Sequence, residues 1–228
     1  MNPGAIYGAA LERATAPGSE AGTPLARASR APVVPPVVRD AGGASWPLAL
    51  DLWLGTATAA DERALSRAVG PVLDVGCGPG RHVHALARRG VFALGVDIAP
   101  AAVRHARRGG ARVVEGSIFG PLPGPGSWRT ALLLDGNIGI GGRPALLLRR
   151  IGELLRPDGQ VLVELDPDDG ATGDPRRVRL EDRDVASAWF TWARVAPHAI
   201  DRPAQAAGMR LVDRWDDDGR RFCALARS

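Results

Sequence analysis

The sequence contains no lysine, so arginine supplies every strong positive charge in a chain of 228 residues and formal net charge +4. Arginine pairs such as Arg88-Arg89 and Arg107-Arg108 stand just before glycines, where a helix C-terminus favours positive charge. They read as solvated helix ends rather than as a nucleic-acid surface. Cysteine is scarce too: Cys77 and Cys223 are too few for a disulfide framework at this length, and a reduced, cytoplasmic setting is expected. No apolar run approaches the roughly 20 residues of a membrane span, and no basic segment followed by an apolar one opens the chain. Neither a membrane anchor nor a leader is expected. Internal repeats are absent, and no Cys/His spacing resembles a metal site.

What is present is ordinary for a soluble globular protein: 45% hydrophobic and 24% charged residues, enough for one α/β domain with a real core and a short appendage. Residues 1–45 are rich in Pro, Gly, Ala and Ser and read as a flexible or lid-like arm, with a short amphipathic helix around Tyr7 and Leu11. From Trp46 to Val69 the pattern turns helical, with Asp61 as the expected N-cap. After Gly70-Pro71 apolar runs alternate with helical segments. Strands are expected at 71–75, 91–96, 111–115, 130–135 and 160–165, with helices at 80–89, from Pro100 to the Gly109-Gly110 stop, and from Pro144 to Leu155. In the helix at 80–89, Val83, Leu86 and Ala87 share the expected buried face. Segments 209–215 and 221–227, joined by an acidic turn, read as an antiparallel hairpin. The fold class is therefore α/β: a Rossmann-like three-layer sandwich on a mostly parallel seven-stranded sheet, with an antiparallel C-terminal hairpin. Residues 46–228 form the main domain, and an aromatic insertion occupies about 166–208.

The stretch VLDVGCGPGRHVHALARRGVFALGVDIAP holds the chemistry. A strand ending at Asp74 runs into Gly76, Gly78 and Gly80, where missing Cβ atoms let backbone approach a ligand. The dinucleotide fingerprint G-x-G-x-x-G asks for a third glycine where this chain has Arg81, and Asp74 would repel a pyrophosphate. A nicotinamide-dependent oxidoreductase is thus the weaker reading.

The same stretch resembles the cofactor-binding motif of class I S-adenosylmethionine-dependent methyltransferases, and LLRPDGQVLVE is similar to that family's segment before its fifth strand. The resemblance implies S-adenosyl-L-methionine as cofactor and a methyltransferase as the activity. It implies that Asp74 orients the methionine end through water. Gly76, Cys77, Gly78 and Gly80 line its passage, and Asp97 accepts both ribose hydroxyls. Ile98 packs on the adenine, while Ser117 and the Ile118 backbone stand where the family usually has an acid for the adenine amino group. The charges suit that ligand, since a sulfonium and an ammonium welcome acids.

Strand four ends as LLLDGNIGIGG, and by the resemblance Asp135 and Asn137 face the reaction centre, Asp135 also touching the cofactor. The N/D-P-P-Y/F motif of many base and amide methyltransferases is absent, which turns the reading towards a small-molecule methyl acceptor at O or N and away from nucleic acid. In-line displacement rests largely on proximity and orientation. Should a base be needed, His198 is the candidate. Trp189, Phe190 and Trp192 either bury the insertion or wall the acceptor, with Arg176, Arg177 or Arg179 meeting an acidic group. Glu164, Asp166, Asp168 and Asp169 either solvate a loop or bind a cationic amine. A non-catalytic S-adenosylmethionine-binding interaction protein would share the same glycines and Asp97.

Overall fold

Apolar runs of a few residues need cover on both faces, and this chain provides it by following each buried strand with a helix. A computed structural model of the protein describes residues 1–16, 34–168 and 170–228; the stretch 17–33 of the expected arm and Asp169 lie outside the described residues. In chain order the elements are α1 (Pro3–Ala14), β1 (Val37–Asp40), β2 (Ser45–Pro47), α2 (Leu50–Leu54), α3 (Ala59–Ser66), β3 (Val72–Val75), α4 (Arg81–Arg88), β4 (Ala93–Asp97), α5 (Pro100–Arg108), β5 (Val113–Glu115) and β6 (Trp128–Leu133). There follow α6 (Pro144–Leu154), β7 (Leu155–Leu165), β8 (Arg176–Asp182), β9 (Val185–Ala186), β10 (Phe190–Trp192), α7 (Asp201–Ala206), β11 (Met209–Asp217) and β12 (Arg220–Arg227).

The main sheet has seven strands in the order β11-β12-β7-β6-β3-β4-β5. Strands β5, β4, β3, β6 and β7 are parallel, and β12 joins β7 antiparallel with β11 outside it. Strand residues alternate between two cores, as the period of two requires. Leu73, Val75, Ala131 and Leu133 face α6 residues Leu147, Leu148 and Ile151, whereas Val72 and Leu132 face Leu65, Val83, Leu86 and Val103 of α3, α4 and α5. The three expected layers are present.

Differences from the sequence reading are local. Ala87 is exposed, and Ala85 rather than Ala87 joins Val83 and Leu86 in the core. The expected helical stretch after Trp46 is a strand and two short helices, because Gly55 closes α2. Asp61 is not the cap of α3. Thr58 is, accepting from the Asp61 N–H at 3.1 Å while the Asp61 carboxylate accepts the Thr58 N–H at 2.8 Å, a reciprocal capping box.

A second sheet was not legible in the sequence. It runs β10-β8-β1-β2, with β9 on β8, all antiparallel. Strand β1 thus pairs with β8 of the aromatic insertion and β2 with β1, and the arm boundary placed at 45 falls within the β1–β2 hairpin. Helix α1, capped by Asn2, bridges the sheets: Ile6 packs with Val38, Val178 and Leu180, while Ala10 and Leu11 pack with Leu50, Ala99 and Ala102. Thr58→Ala should cost about 1 kcal/mol of stability in urea unfolding, the usual loss of an N-cap; an unchanged midpoint would contradict the capping role.

Candidate active site

The carboxyl ends of β3, β4 and β6, the turn after β5, helix α1 and the inner face of the second sheet enclose one cavity of about 860 Å³. That volume lies within the roughly 300–1,000 Å³ usual for small-molecule sites. On the floor, the loop after β3 brings Gly76, Cys77 and Gly78 to the cavity wall. Gly76 (φ 71°) and Gly78 (φ 52°) lie in the left-handed region, and a Cβ would meet the Asn137 amide at 2.8 Å or the Tyr7 hydroxyl oxygen at 3.0 Å. The loop is a backbone cradle that side chains would fill.

Asp97 ends β4 at the cavity wall, and its two oxygens accept the N–H groups of Gly78 and Ala99, each at 2.8 Å. Burial pushes its carboxyl above the usual range, against the pull of those N–H donors. Each oxygen keeps a lone pair for a hydroxyl donor. Ile98, 67% exposed, and Phe119, 47% exposed, present apolar faces beside it.

Beneath the cavity lies a buried ion cluster. The Arg81 guanidinium, 2% exposed, pairs with Asp61 and donates from one Nη to both Asp135 oxygens at 2.7 Å. From the C-terminal hairpin, Arg220 donates to Asp61 at 2.7 Å and to both Glu164 oxygens at 2.8 and 2.6 Å. Glu164 also accepts the Asp135 N–H at 2.7 Å, which holds Asp135 at φ 55°, a conformation costing a non-glycine residue about 1–3 kcal/mol. His82 sits 3.5 Å from Asp61 and 3.7 Å from Asp74. Burial alone would lower its pKa, but the two acids outweigh this and push it up to about 10. His82, Arg220 and the Thr58 N–H in turn hold Asp61 well below the usual carboxylate range in spite of its burial. Four carboxylates against two guanidiniums and one imidazolium leave one negative charge in excess beside the cavity.

Comparisons with known proteins bear on the fold that carries this site. Residues 72–159 match the family described as "Methyltransferase domain". Residues 72–159 thus carry the sequence pattern of a methyltransferase domain. A methyltransferase from Bacteroides fragilis, solved with S-adenosyl-L-homocysteine, aligns over 100% of this chain and 95% of its own at TM-score 0.75 and 21% identity. The CcbJ methyltransferase of Streptomyces caelestis aligns over 80% of this chain and 93% of its own, with TM-score 0.59 and 20% identity. The 1,6-didemethyltoxoflavin-N1-methyltransferase of Burkholderia thailandensis does so over 78% and 81%, with TM-score 0.58 and 22% identity. No curated protein matches the sequence.

Most of the expected site residues of the methyltransferase domain meet at the cavity: Gly76, Cys77, Gly78, Asp97, Ile98, Ser117, Ile118, Asp135 and Asn137 all line it. Others are placed differently. Asp74, 1% exposed, is turned under the loop towards His82 and does not reach the lining. Gly80 is a packing glycine, since a Cβ there would meet Ala106 at 3.1 Å and Ala111 at 3.2 Å. Asn137 spends its amide hydrogens on the carbonyls of Val75 and Gly76, at 2.9 and 3.0 Å, and so braces the loop. His198 is exposed on the turn Pro197–Ala199, outside the lining, because the chain there packs on α7 and β12 instead.

The aromatic insertion divides. Phe190 and Trp192 face the cavity with Trp46, Val38, Val178 and Leu180, whereas Trp189 lies outside under the guanidiniums of Arg177 and Arg179. Strand alternation sends those two arginines away from the site, and Arg176 is beside Asp40 at 3.6 Å, so none meets an acceptor in the cavity. Asp166 and Asp168 pair with Arg194; Glu164 lines the cavity, and Asp169 is outside the described residues. Sequence reasoning missed Tyr7 as a wall residue and missed the roles of Asp61 and Arg220. Only the i, i+4 apolar spacing at Tyr7 offered a signal.

Arg81→Met leaves Asp61 and Asp135 without their shared cation and should cost about 3–5 kcal/mol in urea unfolding, the usual penalty for breaking a buried pair. A loss below 1 kcal/mol would show that the cluster does not depend on it. Because the folded His82 pKa lies above its unfolded value, its contribution is complete below about pH 6.5 and is lost as pH rises towards 10. Stability should therefore fall across that window, and His82→Asn should flatten the fall; an equal slope in both proteins would contradict the assignment.

Proposed function

We propose that the protein is an S-adenosylmethionine-dependent methyltransferase acting at O or N of a small molecule in a cytoplasmic setting. The observation that carries this reading is the continuity of one cavity from the glycine loop and Asp97 to the aromatic face of the second sheet. Its lining holds a single arginine among the described residues, which suits a small acceptor better than a nucleic-acid strand, since a strand needs a basic surface.

Bound S-adenosylmethionine supplies a methyl group made electrophilic by its sulfonium. In this chain Asp97 is placed to accept the ribose hydroxyls, as a charge-assisted and therefore stronger contact. Ile98 and Phe119 offer apolar faces to the adenine, and Ser117 and the Ile118 backbone lie beside them. Gly76, Cys77 and Gly78 leave room for the methionine portion, and the excess negative charge below them favours its cationic groups. Asp135, with Asn137 bracing the loop, marks the boundary between cofactor and acceptor. The second sheet and α1 cover the acceptor on one side and orient it, so that rate comes from orientation.

Calorimetric titration with S-adenosylmethionine, S-adenosylhomocysteine and NAD should give binding of the two S-adenosyl compounds and none of NAD. Asp97→Ala should weaken S-adenosylhomocysteine by about 10–100-fold, the worth of a charged hydrogen-bonding group. Binding of NAD alone, or unchanged affinity in the variant, would overturn the proposal.

A further inference from the structure

The cavity also speaks to the chemistry of its acceptor, an inference that rests on the methyltransferase reading. Arg81 is the only guanidinium lining it among the described residues, and both its Nη groups are committed to Asp61 and Asp135. A carboxylate or phosphate on the acceptor would find no free cation and would face Asp135 and Glu164.

Among the described residues no lining group is left free to act as a base, Asp97 being taken by the cofactor in the reading above. Asp135 and Glu164 are held in bidentate ion pairs, and His82 lies between Asp61 and Asp74. Burial and the neighbouring Asp97 keep the Tyr7 hydroxyl protonated. A hydroxyl acceptor must shed its proton as it is methylated, and none of the described residues is placed to take it. An ammonium is acidic enough to lose one proton to water, which an alcohol is not. The lone pair so freed forms the N–C bond while the C–S pair leaves on sulfur, the positive charge passes from sulfur to nitrogen, and a second N–H proton then goes to water.

We infer that the acceptor is an amine nitrogen carried on a flat apolar scaffold, seated against Trp46, Phe190 and Trp192 and facing Asp135 and Glu164. The two carboxylates stabilise the charge that develops on nitrogen, and the aromatic faces add cation–π attraction. Both effects act on the charged nitrogen of the transition state. Acids and plain alcohols of the same shape gain neither.

Tryptamine, tryptophol and indole-3-propionate share one indole and differ by ammonium, hydroxyl and carboxylate, so calorimetry with the S-adenosylhomocysteine-loaded protein isolates the end group. Tryptamine should bind at least tenfold more tightly than either of the others. Equal or tighter binding of tryptophol or indole-3-propionate would overturn the inference, and so would failure of all three on protein that does bind S-adenosylhomocysteine. If S-adenosylhomocysteine itself does not bind, the cofactor reading is what fails. The same order of the three ligands, measured without it, then still decides the acceptor.

Discussion

The Arg81 guanidinium holds the site together. It joins Asp61, from the capping box of α3, to Asp135, at the left-handed end of β6, and does so from the first turn of α4 after the glycine loop. Arg220 repeats the link from the last strand, tying Asp61 to Glu164. Five elements, α3, α4, the end of β6, β7 and β12, are thereby fixed around one charge cluster. Desolvating so many charges is costly, and their mutual attraction offsets that cost only if every partner stays in place. The excess negative charge is then a property of the fold itself, available to a cationic ligand on the cavity floor.

The roof obeys a different constraint. Strands β1, β8 and β10 must bury one face, and the cavity lies beneath that face together with Ile6 and Tyr7 of α1. Apolar and aromatic residues therefore point inward while Arg177 and Arg179 point to solvent. The result is a chamber with a charged floor and an apolar ceiling. Such a chamber orients a flat molecule by its faces and selects it by charge at one edge.

What the sequence revealed follows from the range of the interactions. The β–α alternation and the glycine loop are local, set by periods of two and 3.6 residues and by positive φ, and the strands, helices and Asp97 could be placed from them. The second sheet could not, because its strands are short and Val38 pairs with Leu180, far along the chain. Asp61 looked like a cap because a helix start is a local pattern, whereas its contacts with Arg81 and Arg220 depend on the tertiary fold. Arg81 was legible only as a misfit to the dinucleotide spacing. That misfit was the trace of the cluster, since a glycine there would have no guanidinium to give to Asp135.

The account is tested most directly by a crystal structure of the protein with S-adenosylhomocysteine. It predicts the ribose hydroxyls on Asp97, the adenine between Ile98 and Phe119, and the sulfur directed at the space bounded by Asp135 and Trp192. A ligand bound away from the glycine loop, or a sulfur turned from the aromatic sheet, would contradict it.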